Sequence, residues 1–140
     1  MIKLKPYSSS ILALGGFLLV GMGVYFVFIR PSLLPEDLLY MKTTPSTIQE
    51  HIPALSVWLQ KVFLVLGSYI FTSGLLTIYI AITSFRKRTR GAFSIIVLSG
   101  LSSIGLMTIV NFILESDFKW TLFAFTLPWT IALILYRIHK

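Results

Sequence analysis

The chain is 140 residues long, 56% hydrophobic and only 12% charged, with a mean hydropathy of +0.86. Soluble domains carry about 25% charged residues, so this composition excludes a water-facing globule and requires that most of the surface meet lipid. The absence of cysteine excludes disulfides, thiolate metal sites and thiol redox chemistry. In so apolar a chain the net charge of +7 marks residues on the cytoplasmic side of a membrane rather than a nucleic-acid surface.

Charged residues delimit the spans, because each costs about 2.5–3.5 kcal/mol at the centre of an inserting helix. Ser8 to Ile29 is an uncharged run of 22 residues between Lys5 and Arg30. It exceeds a signal-peptide core, and no small-x-small cleavage site follows it, so it reads as a retained helix. Val62 to Phe85 and Gly91 to Leu114 are uncharged runs of 24 residues each. Trp120 to Tyr136 gives 17, at the short end of what crosses a bilayer. Lys119 and Arg137 can lengthen it by extending their heads to the interface. The predicted organisation is one membrane domain, 1–140. Its spans fall at about 8–29, 57–85, 91–114 and 119–137, with a loop over 30–56.

Charge sorting sets the expected orientation. Lys3, Lys5, Arg86, Lys87, Arg88, Arg90, Arg137 and Lys140, eight of the twelve basic residues, fall on one side. The other side holds Arg30, Lys42, Lys61 and Lys119 together with all five acids. Lys/Arg-rich segments stay inside, so both termini and the Arg86–Arg90 turn are expected in the cytoplasm. The fold class expected is all-α: a polytopic bundle of four transmembrane helices with a short helical cap on the outer side. Pro35 with Glu36 and Asp37 reads as a helix start, and Thr44-Pro45 as a second. Pro53 is expected to open the second span. Trp58, Leu55 and Leu59 suit an interfacial anchor.

Small and hydroxyl residues mark expected packing faces: Gly15, Gly16, Gly21 and Gly23 in the first span, Gly67 and Gly74 in the second, and Ser99, Gly100, Ser102, Ser103 and Gly105 in the third. The stripe Tyr69, Ser73, Thr77 reads as packing, with a solute path as the alternative. Pro128 should kink the fourth span. No acid, base or histidine lies in the middle of any span, which counts against proton-driven transport. The polar candidates gather on the outer side, as a recognition cluster of Arg30, Glu36, Asp37, Asn111, Glu115 and Asp117. Asn111 is expected to bond a neighbouring helix or the loop above it, and Arg30 to pair with one of the acids. Glu50-His51 adds no known metal spacing, and no nucleophile–base pair, phosphate loop or cofactor signature is present. No catalytic, cofactor or metal site is expected. The Arg86–Arg90 run could also meet anionic lipid heads.

Several four-helix membrane families are excluded by residues this chain lacks. There is no glutamate in the first span as in small multidrug transporters. There are no cysteines as in quinone-reducing disulfide enzymes or tetraspanins, and no charges within helices as in the eicosanoid and glutathione enzymes. The segment Arg30-Pro31-Ser32-Leu33-Leu34-Pro35-Glu36-Asp37 and the stretch from Asn111 to Trp120 resemble a group of small four-helix bacterial membrane proteins of unknown function. The resemblance implies a bacterial inner membrane and supplies no activity. Three function classes stay open. The first is a non-catalytic accessory subunit or scaffold binding a membrane partner or a second copy. The second is a passive carrier, channel or lipid-handling protein acting as an oligomer. The third is an enzyme on lipid head groups at the outer face.

Overall fold

In a computed structural model, residues 5–138 are described, with side chains from Tyr7 onward. Lys3 and Lys140, which entered the charge sorting, lie outside the described residues. Every regular element of the described residues is a helix. It runs α1 (Lys5–Phe28), α2 (Pro35–Met41), α3 (Pro45–His51), α4 (Leu55–Ile80), α5 (Ala92–Gly100), α6 (Leu106–Ile113) and α7 (Lys119–Ile138). Single π-helical turns follow α4 (Ala81–Phe85) and join α5 to α6 (Leu101–Gly105).

Four helices are long and apolar enough to cross a membrane: Tyr7–Phe28, Leu55–Phe85, Ala92–Ile113 and Lys119–Ile138. The chain is therefore an integral membrane protein. The second span has 31 residues, about 47 Å at 1.5 Å per residue, which exceeds the roughly 30 Å hydrocarbon core. It begins at Leu55, two residues after the expected Pro53. Proline occupies the first turn of both α2 and α3, and the Thr44 hydroxyl caps α3 by accepting the Thr47 N–H at 3.2 Å.

The helices form a row. α1 packs along α4 and along α7, and α7 packs on α5 and α6. Glycine makes the first of these contacts close. Gly16 and Gly23 on α1 face Gly74 and Gly67 on antiparallel α4, each pair seven residues apart. A Cβ on Gly74 would lie 2.7 Å from the Gly16 carbonyl oxygen, and one on Gly23 would lie 2.5 Å from the Phe71 nitrogen. Only glycine allows backbones this near, and dispersion between them replaces the hydrophobic drive that lipid removes. On the other side of α1, buried Trp129 of α7 wedges between Gly15 and Gly100 and joins α1, α7 and α5.

One end of the row is drawn shut. There the turn after α4 meets α5, and Tyr136 stacks on Phe85 and Phe93 with ring centroids 4.4 and 5.6 Å away. Arg88, in a left-handed conformation (φ 56°), donates to the Tyr136 carbonyl at 3.0 Å and lies over the Tyr136 ring. At the opposite end, α4 makes no sustained contact with α5 or α6. The row is consequently pinned at the Arg88 end and parted at the Arg30 end.

Candidate functional site

The site is the space left by that parting. It is an open cavity of about 800 Å³, within the size range of small-molecule pockets (~300–1,000 Å³). Leu66, Tyr69 and Ser73 of α4 form one wall, and Leu106, Met107 and Val110 of α6 the other. Its floor is α1 (Leu18, Met22) and α7 (Leu122, Phe125). Gly21 of α1 opens onto it, and a Cβ there would meet nothing within 4 Å. The third span contributes Ser102 and Ser103 from its π turn, an irregularity that often accompanies function.

Polar groups gather at the Arg30 end. Arg30 leaves the last turn of α1 with its N–H bonded to the Tyr25 carbonyl at 2.8 Å. Its guanidinium lies 3.6 Å from the centroid of the Phe63 ring of α4 and 5.4 Å from that of Phe26. It donates to the Pro31 carbonyl (2.9 Å) and to Asp37 Oδ2 (3.2 Å). The Arg30 and Asp37 side chains are 8% and 21% exposed. Asp37 Oδ2 also accepts the Leu34 N–H at 2.9 Å, so one carboxylate caps α2 and neutralises Arg30.

Glu36 precedes Asp37 and points about 100° away around the helix. It is buried, 9% exposed, and its Oε1 accepts from Ser116 Oγ at 3.0 Å across 80 residues of chain. Ser116, 2% exposed, also accepts the Phe118 N–H at 3.1 Å. The hydroxyl therefore holds α2 to the turn between α6 and α7. Its burial and its two bonds leave no approach for nucleophilic attack.

Of the six predicted recognition residues, the structure brings four to the cavity: Arg30, Glu36, Asp37 and Asn111. Glu115 and Asp117 are exposed and do not line it. Glu115 instead closes α6 in a left-handed turn (φ 52°). Asn111 bonds neither a neighbouring helix nor the loop through its side chain: its Nδ2 donates to the Met107 carbonyl of its own helix at 2.9 Å. His51 bonds the Thr47 carbonyl within α3, and among the described residues no three His, Asp or Glu side chains are grouped to hold a metal. Tyr69 and Ser73 of the hydroxyl stripe line the cavity, whereas Thr77 is buried. Ser73, Ser102 and Ser103 donate to carbonyls of their own helices, four residues back, at 2.8, 2.8 and 2.6 Å.

Sequence reasoning missed Ser116 and the Phe63 shelf under Arg30. Ser116 had a signal, a hydroxyl between two acids in a tight turn between spans. Phe63 had none, being one aromatic among eleven phenylalanines. Comparison of the chain with protein-family models, with curated proteins and with solved structures finds no match.

Proposed function

We propose that the protein binds a single membrane amphiphile, with its apolar part between α4 and α6 and its polar end beside Arg30, Glu36 and Asn111. This is the lipid-handling class. The observation that carries it is the open, largely apolar cavity with its charged groups at one end only. An apolar cleft of about 800 Å³ left empty would forfeit the dispersion contacts of its lining side chains. Water is a poor filler for such walls. Hydrocarbon from the surrounding lipid fills the space without that loss. The Arg30 end then supplies what bulk lipid lacks, a fixed set of polar groups that can choose among head groups.

This reading takes precedence over the scaffold reading because a scaffold does not account for the cavity. It also takes the basic Arg86–Arg90 turn to be cytoplasmic and the Arg30 end to face outward, in a bacterial inner membrane. With no native cysteine, single cysteines at Lys87 and Glu115 report the two sides by their access to an impermeant thiol reagent.

Gly21→Phe tests the binding reading. The side chain would project into the cavity from a position with no neighbour within 4 Å, so it should obstruct an acyl chain there and spare the packing. Native mass spectrometry of the wild type should show one lipid-sized ligand per chain, and the variant should lose it without losing thermal stability. Equal retention by both would refute the reading. A co-purifying protein in place of the ligand would favour the scaffold class.

A further inference from the structure

The polar groups at the cavity are unequally available. Two Arg30 N–H groups go to the Pro31 carbonyl and to Asp37, the guanidinium plane lies against the Phe63 ring, and the side chain is 8% exposed. One of the two Asn111 amide N–H groups is held by Met107, and the Ser73, Ser102 and Ser103 hydroxyls by their own helices. Ser116 gives its proton to Glu36. What remains toward the cavity is mostly acceptor: the second carboxylate oxygen of Glu36, which no donor among the described residues reaches, the Asn111 carbonyl oxygen, and serine lone pairs. The Tyr25, Tyr69 and Thr121 hydroxyls can turn either way, and the second Asn111 N–H remains a donor. Charge points in the same direction. One guanidinium and two carboxylates line this end, a formal balance of −1, and the cation is already paired. An anionic head group would find its counter-charge taken and an unpaired carboxylate in its place.

We infer that the amphiphile is a lipid whose head group ends in a primary ammonium, seated with its N–H groups on the Glu36 carboxylate. The inference rests on the amphiphile-binding reading above. A free amine would satisfy Glu36 but leave the apolar walls uncovered, so the lipid is the occupant. An ammonium donates to a carboxylate in a charge-assisted bond, the one interaction the neighbouring donors leave unmade.

Charge and N–H donors can be separated on the wild-type chain. An ethanolamine lipid and its mono-, di- and trimethylated forms, with identical acyl chains, keep one head-group charge while losing donors one at a time. Relative affinities come from native mass spectrometry of the purified full chain titrated with each lipid. The expected result is a stepwise loss across the series. The ethanolamine lipid should bind about tenfold more tightly than the trimethylated one, within the range of a hydrogen bond to a charged group. A glycerol-headed anionic lipid should bind more weakly than either. Glu36→Gln keeps an oxygen to accept the Ser116 proton and removes the charge. It should reduce the preference to twofold or less while retaining the trimethylated lipid. Equal wild-type affinity along the series, or an unchanged preference in Glu36→Gln, overturns the head-group inference and leaves cavity binding standing. Retention of no lipid by the wild type, or equal retention by Gly21→Phe, removes the cavity reading and this inference together.

Discussion

Gly74→Ala is the sharpest test of the packing that creates the cavity. The added Cβ would lie 2.6 Å from the Val20 nitrogen and 2.7 Å from the Gly16 carbonyl oxygen. Both atoms are backbone and cannot rotate away. Reaching an ordinary contact of 3.4 Å requires α1 and α4 to part by about 0.8 Å. A gap of 0.5–1 Å forfeits about a quarter to a half of each dispersion contact along the seam. Overpacking of this kind costs about 1–3 kcal/mol. Alanine's helix preference over glycine, about 0.8–1 kcal/mol, offsets part of that. The net expectation is a loss of up to about 2 kcal/mol, and of about 1–3 kcal/mol relative to an alanine placed in open space, read from reversible unfolding in mixed micelles by circular dichroism. Gly21→Ala is the control in the same interface helix: its Cβ meets nothing within 4 Å, so it should be neutral or slightly stabilising. Gly16→Ala combined with Gly74→Ala should cost less than the sum of the single changes, because both relieve their clash by the same separation. A Gly74→Ala variant as stable as Gly21→Ala would refute the close α1–α4 seam.

Two further variants probe the ends of the row. Asp37→Asn keeps an acceptor for the Leu34 N–H but leaves the nearly buried Arg30 without its counter-charge. It should cost about 1–2 kcal/mol, below the 3–5 of a fully buried pair because Asp37 is 21% exposed, and it should speed proteolysis within residues 30–54. Arg88→Ala removes the donor to the Tyr136 carbonyl and the cation over its ring. It should lower stability by about 1–3 kcal/mol by the same unfolding measurement, whereas Asp117→Ala, an exposed change, should leave stability within about 0.5 kcal/mol.

The spans were legible because a charge inside a membrane helix is expensive, so Arg30, Lys61, Arg86, Arg90 and Glu115 bracket them in the sequence. The short helices were legible from Pro35 and from Thr44-Pro45, whose local chemistry needs no tertiary context. The order of the row was not. In lipid, a residue facing a neighbour, a cavity or the bilayer is apolar in every case, so no hydrophobic face distinguishes α4's contact with α1 from its gap beside α6. Gly21 and Gly23 illustrate this. They look alike in sequence, yet one opens onto the cavity and the other meets the Phe71 backbone. The candidate site was half legible. Unusual residues beside spans pointed to Arg30, Glu36, Asp37 and Asn111. They also pointed to Glu115 and Asp117, because a helix end does not reveal which of its residues turns inward, and it is Ser116 between them that does.

The claim at the centre is that lipid occupies the space between α4 and α6. The direct measurement is photolysis of a phospholipid carrying a diazirine in its acyl chain, in vesicles containing the protein, with adducts mapped by peptide mass spectrometry. Occupancy predicts adducts on the cavity floor, at Leu18 and Met22 of α1 and Phe125 of α7, and their loss in Gly21→Phe. Adducts confined to outward side chains such as Leu76, Tyr79 and Ile109 would contradict it.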